Sequence, residues 1–313
     1  MNSQNKFIFS KSDFISKHEN PEMPGWSTFA MVFADNHYQY SFAGMDFYGM
    51  HYEYRPFSIE LIQIKYYSDP ASILFEATGK QTILFIMLEG EIAGGFTKKN
   101  NLSMHEGEFT ISNYEPGKYN LQPRGDKNSF LLITIDNDWF QYVGEDLINI
   151  MNGIINFEDE FADQVFLCKA TRQAHQWINN IHAFSHQNIA AVDGNLRMHI
   201  TFLLEYYKLK IETQKNSLAF KIKKYLDDHY LNNTLSIKNL AEYFHVTERT
   251  LRNHFKRQFQ KTIHRYYTEL RMKRATELIN NSSLPLKDIY FHIGYNDESS
   301  FRHAYKQYLK KKV

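Results

Sequence analysis

Leu235-Ser-Ile-Lys-Asn-Leu-Ala-Glu-Tyr-Phe-His-Val-Thr-Glu-Arg-Thr-Leu-Arg-Asn-His-Phe-Lys-Arg-Gln-Phe259 is the stretch on which the fold of this chain turns. Ser236 is a good N-cap, and Ile237, Leu240, Ala241 and Phe244 then share one side of a short helix. His245-Val246 is a tight turn, because His is among the residues that tolerate a positive φ. Thr247 caps a second helix, Glu248 to Phe259, whose buried face carries Leu251, Phe255 and Phe259. Ala241 stands where the two helices cross, and a small side chain is needed there. Helix, short turn and capped second helix make a helix-turn-helix layout. One such unit is a weak signal, since short amphipathic helices are common core material.

The layout recurs. Leu286 to Ile293 reads as a helix, Gly294 supplies a turn position with positive φ, and Asp297 caps the helix that follows. Phe301 and Tyr305 stand where Leu251 and Phe255 stood. The offset is 49 from Ala241 to Tyr290 and 50 from Thr247 to Asp297, so the second turn holds one extra residue. Between the units, His264 to Ile279 reads as a helix long enough to hold them apart. Two copies in register, joined by one helix, are hard to explain as plain packing.

Charge is divided unequally around these units. Ser217 to Val313 holds 19 Lys+Arg against 9 Asp+Glu, while the remaining 216 residues hold 17 against 26. The formal net charge of +1 hides this asymmetry. One end is suited to a polyanion and the other is not, although solvated faces also carry such runs.

Toward the N-terminus the pattern changes to strands. Ser58 to Tyr66 alternates polar and apolar, as a half-buried strand does, and Gln81 to Leu88 is apolar on both faces. Turn signals at Glu89-Gly-Glu91, Gly94-Gly95, Lys99-Asn-Asn101, Glu106-Gly-Glu108 and Glu115-Pro-Gly117 suggest a compact antiparallel barrel or jelly roll. From about Asp138, apolar residues recur at helical spacing through Trp139 to Val143, Leu147 to Met151, Ala170 to Phe184 and Leu196 to Lys210. Glu212 to Ser217 is the linker candidate. The expected class is α+β: a sensing and pairing domain over 1–213 (barrel about 1–138, helices about 138–213), then an all-α domain over 217–313. The polar start, Met1 to Phe14, does not read as a signal peptide, and no apolar run approaches the roughly 20 residues that span a bilayer. Cys168 is the single cysteine, which excludes an intramolecular disulfide framework. A cytoplasmic protein fits these features.

The pattern Leu235-Ser236-Ile237, Leu240-Ala241, Val246-Thr247, Arg249, Leu251, Phe255-Lys256, Tyr266, Leu270-Arg271, Ala275, Leu278, Ile289, Gly294-Tyr295, Asp297, Ser299, Phe301 and Tyr305-Lys306 resembles the DNA-binding domain of AraC/XylS-type regulators. The likeness covers about Leu218 to Leu309. It implies two recognition helices entering successive major-groove segments on one face of double-stranded DNA. Exposed residues near the start of each recognition helix then meet base edges: Glu248, Arg249, Arg252 and Asn253 in the first unit, Glu298, Ser299, Ser300 and His303 in the second. Arg bonds guanine, Asn adenine, and Glu accepts from cytosine. Lys256, Arg257, Lys261, Arg302, Lys306 and the terminal lysines suit phosphate. The chain departs from the family at Asn253 and His303, where Arg is usual, at Tyr290, where a small residue is usual, and at Gln260, where Gly is usual.

Ile86 to Glu91 and Met104 to Pro116 resemble, more distantly, the cupin-like sensor of the same regulators. Metal-dependent cupins gather His and Glu around one ion. Here His105 stands alone, Tyr119 falls where a later ligand would stand, and His37 and His51 lack suitable spacing, so no metal, cofactor or enzymatic activity is expected. Cys168 reads as buried filler. Leu196, Ile200, Leu203, Leu204 and Tyr207 share one helical face, which the resemblance implies is a dimerisation surface; the same stripe would also serve packing on the barrel. The resemblance further implies a ligand-responsive activator, with a small effector in the barrel, a homodimer and contact with RNA polymerase. Two other readings remain: a DNA-binding scaffold without effector, and a cupin-type enzyme with a DNA-binding tail.

Overall fold

The computed structural model describes residues 5–8, 14–68, 72–97, 100–142, 145–160, 166–281 and 284–310. Lys99, Val143 and the lysines at 311 and 312 lie outside them. The chain divides into two compact units, Met1–Ile211 and Glu212–Val313.

The first unit opens with β1 (Asn5–Ile8), β2 (Phe14–Glu19), β3 (Asn36–Phe42), β4 (Met45–Tyr54), β5 (Phe57–Tyr66), β6 (Ile73–Ala77), β7 (Gln81–Thr97), β8 (Asn100–His105), β9 (Glu108–Tyr114) and β10 (Gly117–Ile135). Two long strands organise it. The first half of β7 pairs with β9 and its second half with β8, while β10 pairs with β6 early and with β5 late. The β7–β10 ladder slips register between Arg124 and Phe130. Gly90 sits at this bend with φ +87°, where a Cβ would strike the Lys127 carbonyl. The two halves thus fold over one core in which Phe7 meets Phe47, Phe75 and Phe130, and Phe85 stacks on Phe130 at 5.0 Å.

Where a compact cupin-like barrel or jelly roll is expected, the strands form an open, bent sheet. Among the described residues the ladder order runs from a short strand β11 (Cys168–Lys169) through β9-β7-β10-β5-β4-β3 to β2 without returning on itself. Ser58 to Tyr66 is also not half-buried: Leu61, Ile62, Gln63 and Ile64 are all fully buried. Its polar member has a reason to be inside. Gln63 accepts from the backbone N–H groups of Thr28 and Phe29 at 2.8 and 3.0 Å and donates back to the Phe29 carbonyl, tying down that loop.

The helices are α1 (Asn137–Tyr142), α2 (Glu145–Glu160), α3 (Arg172–His182) and α4 (Ile189–Lys215), with a short strand β11 (Cys168–Lys169) between α2 and α3 that pairs with β9. Trp139 packs edge-on to Phe57 at 4.9 Å, and Tyr207 of α4 lies 5.8 Å from Phe109. Helix α4 has 27 residues and continues to Lys215, so most of the expected linker is helix. Thr213, Gln214 and Lys215 are polar but compatible with a helix, and polarity alone does not end one.

The residues expected to form the dimer surface lie elsewhere than at a surface. Leu196, Ile200, Leu203, Leu204 and Tyr207 are all buried, with relative exposure of 0–1%. The Tyr207 hydroxyl donates to the Phe166 carbonyl at 2.8 Å. This stripe is core of the chain itself. The apolar residues that α4 leaves exposed are Ile189, Met198, Phe202 and Leu209.

Candidate nucleic-acid interface

The second unit is wholly helical in its described residues: α5 (Leu218–His229), α6 (Ile237–Tyr243), α7 (Glu248–Phe259), α8 (Ile263–Asn281), α9 (Leu286–His292) and α10 (Glu298–Lys310). Its two turns have the same wiring. The Val246 N–H donates to the Ala241 carbonyl at 3.0 Å, and 49 residues later the Tyr295 N–H donates to the Tyr290 carbonyl at 3.0 Å. The left-handed position is His245 (φ +52°) in one and Gly294 (φ +81°) in the other. Asn296 is therefore the extra residue of the second turn.

Capping is also repeated. Thr247 accepts from the Thr250 N–H at 3.1 Å and Asp297 from the Ser300 N–H at 2.8 Å. That backbone donor holds the Asp297 carboxyl below its ordinary range. Ser236 caps α6 by accepting from Asn239 at 3.1 Å. Buried anchors then seat the two second helices: Leu251, Phe255 and Phe259 in α7, and Phe301 in α10. Around Phe301 gather Met272, Ala275, Ile289 and Ile293, with Tyr290 partly buried at the edge. Tyr290 does not reproduce the buried Ala241; its ring packs against the rim of the second core.

With those faces inward, the opposite faces are open. Arg249, Arg252, Asn253, Lys256 and Arg257 are exposed on α7, as are Ser299, Ser300, Arg302, His303 and Lys306 on α10. Glu248 and Arg252 form an ion pair at 3.1 Å, and Glu298 and Arg302 one at 2.6 Å. Lys261, like Arg302, is held in an ion pair. Its ammonium meets Glu269 at 2.8 Å, beside Arg265 at 2.9 Å. Burial raises the Glu269 carboxyl, but donation from Lys261 and Arg265 outweighs this and leaves it below the ordinary value.

Other residues border this face that the sequence did not single out. Lys238, Glu242, His245 and Thr250 line an open groove of about 820 Å³ with Thr247 and Glu248, between α6 and the start of α7. Phe291 is 71% exposed at the end of α9, where Glu242 stands in the first unit. Their signal in the sequence was their place beside the turns, which the apolar pattern does not report.

The histidines considered as metal ligands have partners within the fold. His37 Nδ1 lies 2.9 Å from the Tyr48 hydroxyl, His51 Nδ1 lies 2.9 Å from Glu60, and His105 Nδ1 lies 3.6 Å from Glu91. The Tyr119 hydroxyl donates to the Glu115 carbonyl at 2.7 Å. Burial pushes the Cys168 thiol up to about 12. None of the described helices is long and apolar enough to cross a membrane.

A family model described as a helix-turn-helix domain matches residues 240–312. The chain is 25% identical over 122 residues to the Msm operon regulatory protein of Streptococcus mutans, a match covering 38% of this chain and 44% of that protein. It is 29% identical over 83 residues to the HTH-type transcriptional activator RhaS of Escherichia coli O157:H7, covering 26% and 30%. The matched part thus spans less than half the length of either relative. Among solved structures, that of the AraC-like transcriptional activator CuxR has a TM-score of 0.36 and 10% identity, covering 75% of this chain and 82% of that one. The chain carries a helix-turn-helix domain of the AraC/XylS type.

Proposed function

We propose that this protein is a sequence-specific DNA-binding transcription regulator, with α7 and α10 as recognition helices for adjacent major-groove segments. One observation carries the reading: two units with the same turn hydrogen bond and the same cap, each presenting arginine on the open face of its second helix. Glu248, Arg249, Arg252 and Asn253 read bases in the first unit; Lys256, Arg257, Lys261 and Lys306 meet phosphates. The test is binding of the full chain to duplex DNA across a salt series. Each neutralised phosphate contributes a log–log slope of roughly −0.9. A salt-independent signal refutes the reading.

The first unit takes the roles of sensing and pairing. The regulator is cytoplasmic, a homodimer and an activator that contacts RNA polymerase, responding to a small effector held within the bent sheet. Pairing uses the exposed face of α4, where Phe202 lies against Trp177 at 5.4 Å, rather than the buried stripe. A second reading, a scaffold that binds no effector, is favoured by the tight filling of the sheet interior by Phe47, Phe85 and Phe130, each at most 2% exposed. A thermal-shift screen with small organic acids, sugars and fatty acids separates the two.

A further inference from the structure

We propose that Glu248–Arg252 and Glu298–Arg302 are matched reading pairs, in which each arginine contacts guanine and each glutamate orients it and discriminates against non-specific duplex. The inference rests on the DNA-reading function proposed above. It moves Arg302 from the phosphate backbone to a base edge and gives Glu298 a positioning role.

The argument begins with the repeat. Aligned at an offset of 50, several exposed positions of the two helices have diverged, with Arg249 answering to Ser299, Asn253 to His303 and Arg257 to Gln307, while Lys256 answers to Lys306. The Glu–Arg pair occurs in both, one turn apart, at 3.1 and 2.6 Å. On the first two turns of α10, Arg302 is the one permanently charged cation, beside Ser299, Ser300 and His303. If the second helix reads guanine, Arg302 supplies the bidentate fork.

The glutamates add selectivity by electrostatics. Each sits in the first turn of its helix, where the helix dipole favours an anion. Facing a phosphate backbone, that carboxylate repels, and it holds the guanidinium away from phosphate. Breaking an exposed pair costs little. The exchange is therefore favourable where the arginine finds guanine O6/N7 and the carboxylate finds a cytosine amine, and unfavourable elsewhere.

The test uses the full chain, a random-sequence duplex, and a site recovered by selection from random duplexes. The variants are E248Q, E298Q, R302K and R302A. E277Q is the control, since exposed Glu277 pairs with Arg274 at 3.0 Å on α8 and belongs to neither recognition helix. E248Q and E298Q should tighten binding to random duplex more than E277Q does, while lowering the selected-to-random ratio. R302A and R302K should both lower that ratio roughly 5- to 150-fold, with the loss confined to one base pair. The pair hypothesis is overturned if E248Q and E298Q match E277Q, or if R302K behaves as wild type while R302A weakens all sequences alike, the mark of a phosphate contact. Wild type that fails to bind either duplex would instead remove the DNA-reading function beneath it.

Discussion

The buried guanidinium of Arg271, in the middle of α8, donates from Nε to the Tyr230 carbonyl at 2.6 Å. Its Nη2 donates to the Asn232 carbonyl at 2.8 Å, and the group lies over the rings of Tyr267 and Tyr295 at 5.0 and 5.4 Å. One side chain therefore ties the loop after α5 to the turn of the second unit. Gly294 completes the contact, since a Cβ there would come within 2.5 Å of the Leu231 carbonyl and 2.9 Å of Arg271 Nη2.

Arg271→Met should destabilise the second unit by about 3 kcal/mol, because two carbonyls lose charged donors. Arg271→Lys should recover only part, as an ammonium cannot fork between both. Thermal melts of the full chain, followed by helical circular dichroism, measure this. Equal stability of all three proteins would show the contact to be idle.

Gln260 ends α7 in the left-handed region at φ +52°, a conformation that costs a non-glycine residue about 1–2 kcal/mol. Its side chain recovers some of this by donating to the Arg257 carbonyl at 3.0 Å. Gln260→Gly should raise stability by about 0.5–1 kcal/mol, and Gln260→Val should lower it. Denaturant midpoints of the three forms decide the matter.

Buried His182 and half-buried His51 should act on stability in opposite directions. Burial depresses His182, so the folded state resists its protonation. Stability from this group is full above about pH 6.5 and is lost as pH falls from there. Burial also opposes charge on His51, but Glu60 and Glu53 outweigh it and raise its value. Its contribution is full below about pH 6.5 and is lost as pH rises through the folded value. His182→Phe should flatten the acid side of the melting profile and His51→Gln the neutral side. Unchanged slopes in both variants would contradict these assignments.

Arg252→Ala should cost about 1–3 kcal/mol at one base pair of the selected site, and His303→Ala should cost less at neutral pH. A base-by-base substitution scan of that site provides the comparison. A larger loss for His303→Ala would make the imidazole the stronger reader.

Leu203→Ala and Leu204→Ala should each destabilise the first unit by about 2–5 kcal/mol, since both are fully buried. Met198→Glu with Phe202→Glu should leave the fold intact and lower the sedimentation coefficient of the paired form. Sedimentation unchanged by that double variant would place pairing elsewhere.

The second unit was legible because its determinants are local. Ser236, Thr247 and Asp297 cap the helices that follow them, and His245 and Gly294 take left-handed turns. Short-range chemistry of this kind is written in a few consecutive residues. The bent sheet was less legible because alternation names a strand without naming its neighbour. Nothing local announces that β10 leaves β6 for β5 partway along its length. Leu203 and Leu204 show the same limit in a helix, where an apolar stripe signals burial but not the surface that buries it. The Glu–Arg pairs are visible as i,i+4 spacing, but that spacing does not say which group of a duplex either arginine meets.

Gly49 of β4 lies beneath the ring of Tyr38, which occupies the space a Cβ would need. That placement lets the Tyr38 hydroxyl reach buried Glu60 at 2.7 Å. Every other amino acid carries a Cβ, so no single change at position 49 is compatible with the ring where it stands. A lineage could alter Gly49 only after Tyr38 had first been reduced to a smaller residue, and Glu60 would by then have lost one of its two partners, keeping only His51. The order in which these positions can change is thus fixed by one missing methyl group, and descendants of this chain should retain the glycine for as long as they retain the tyrosine.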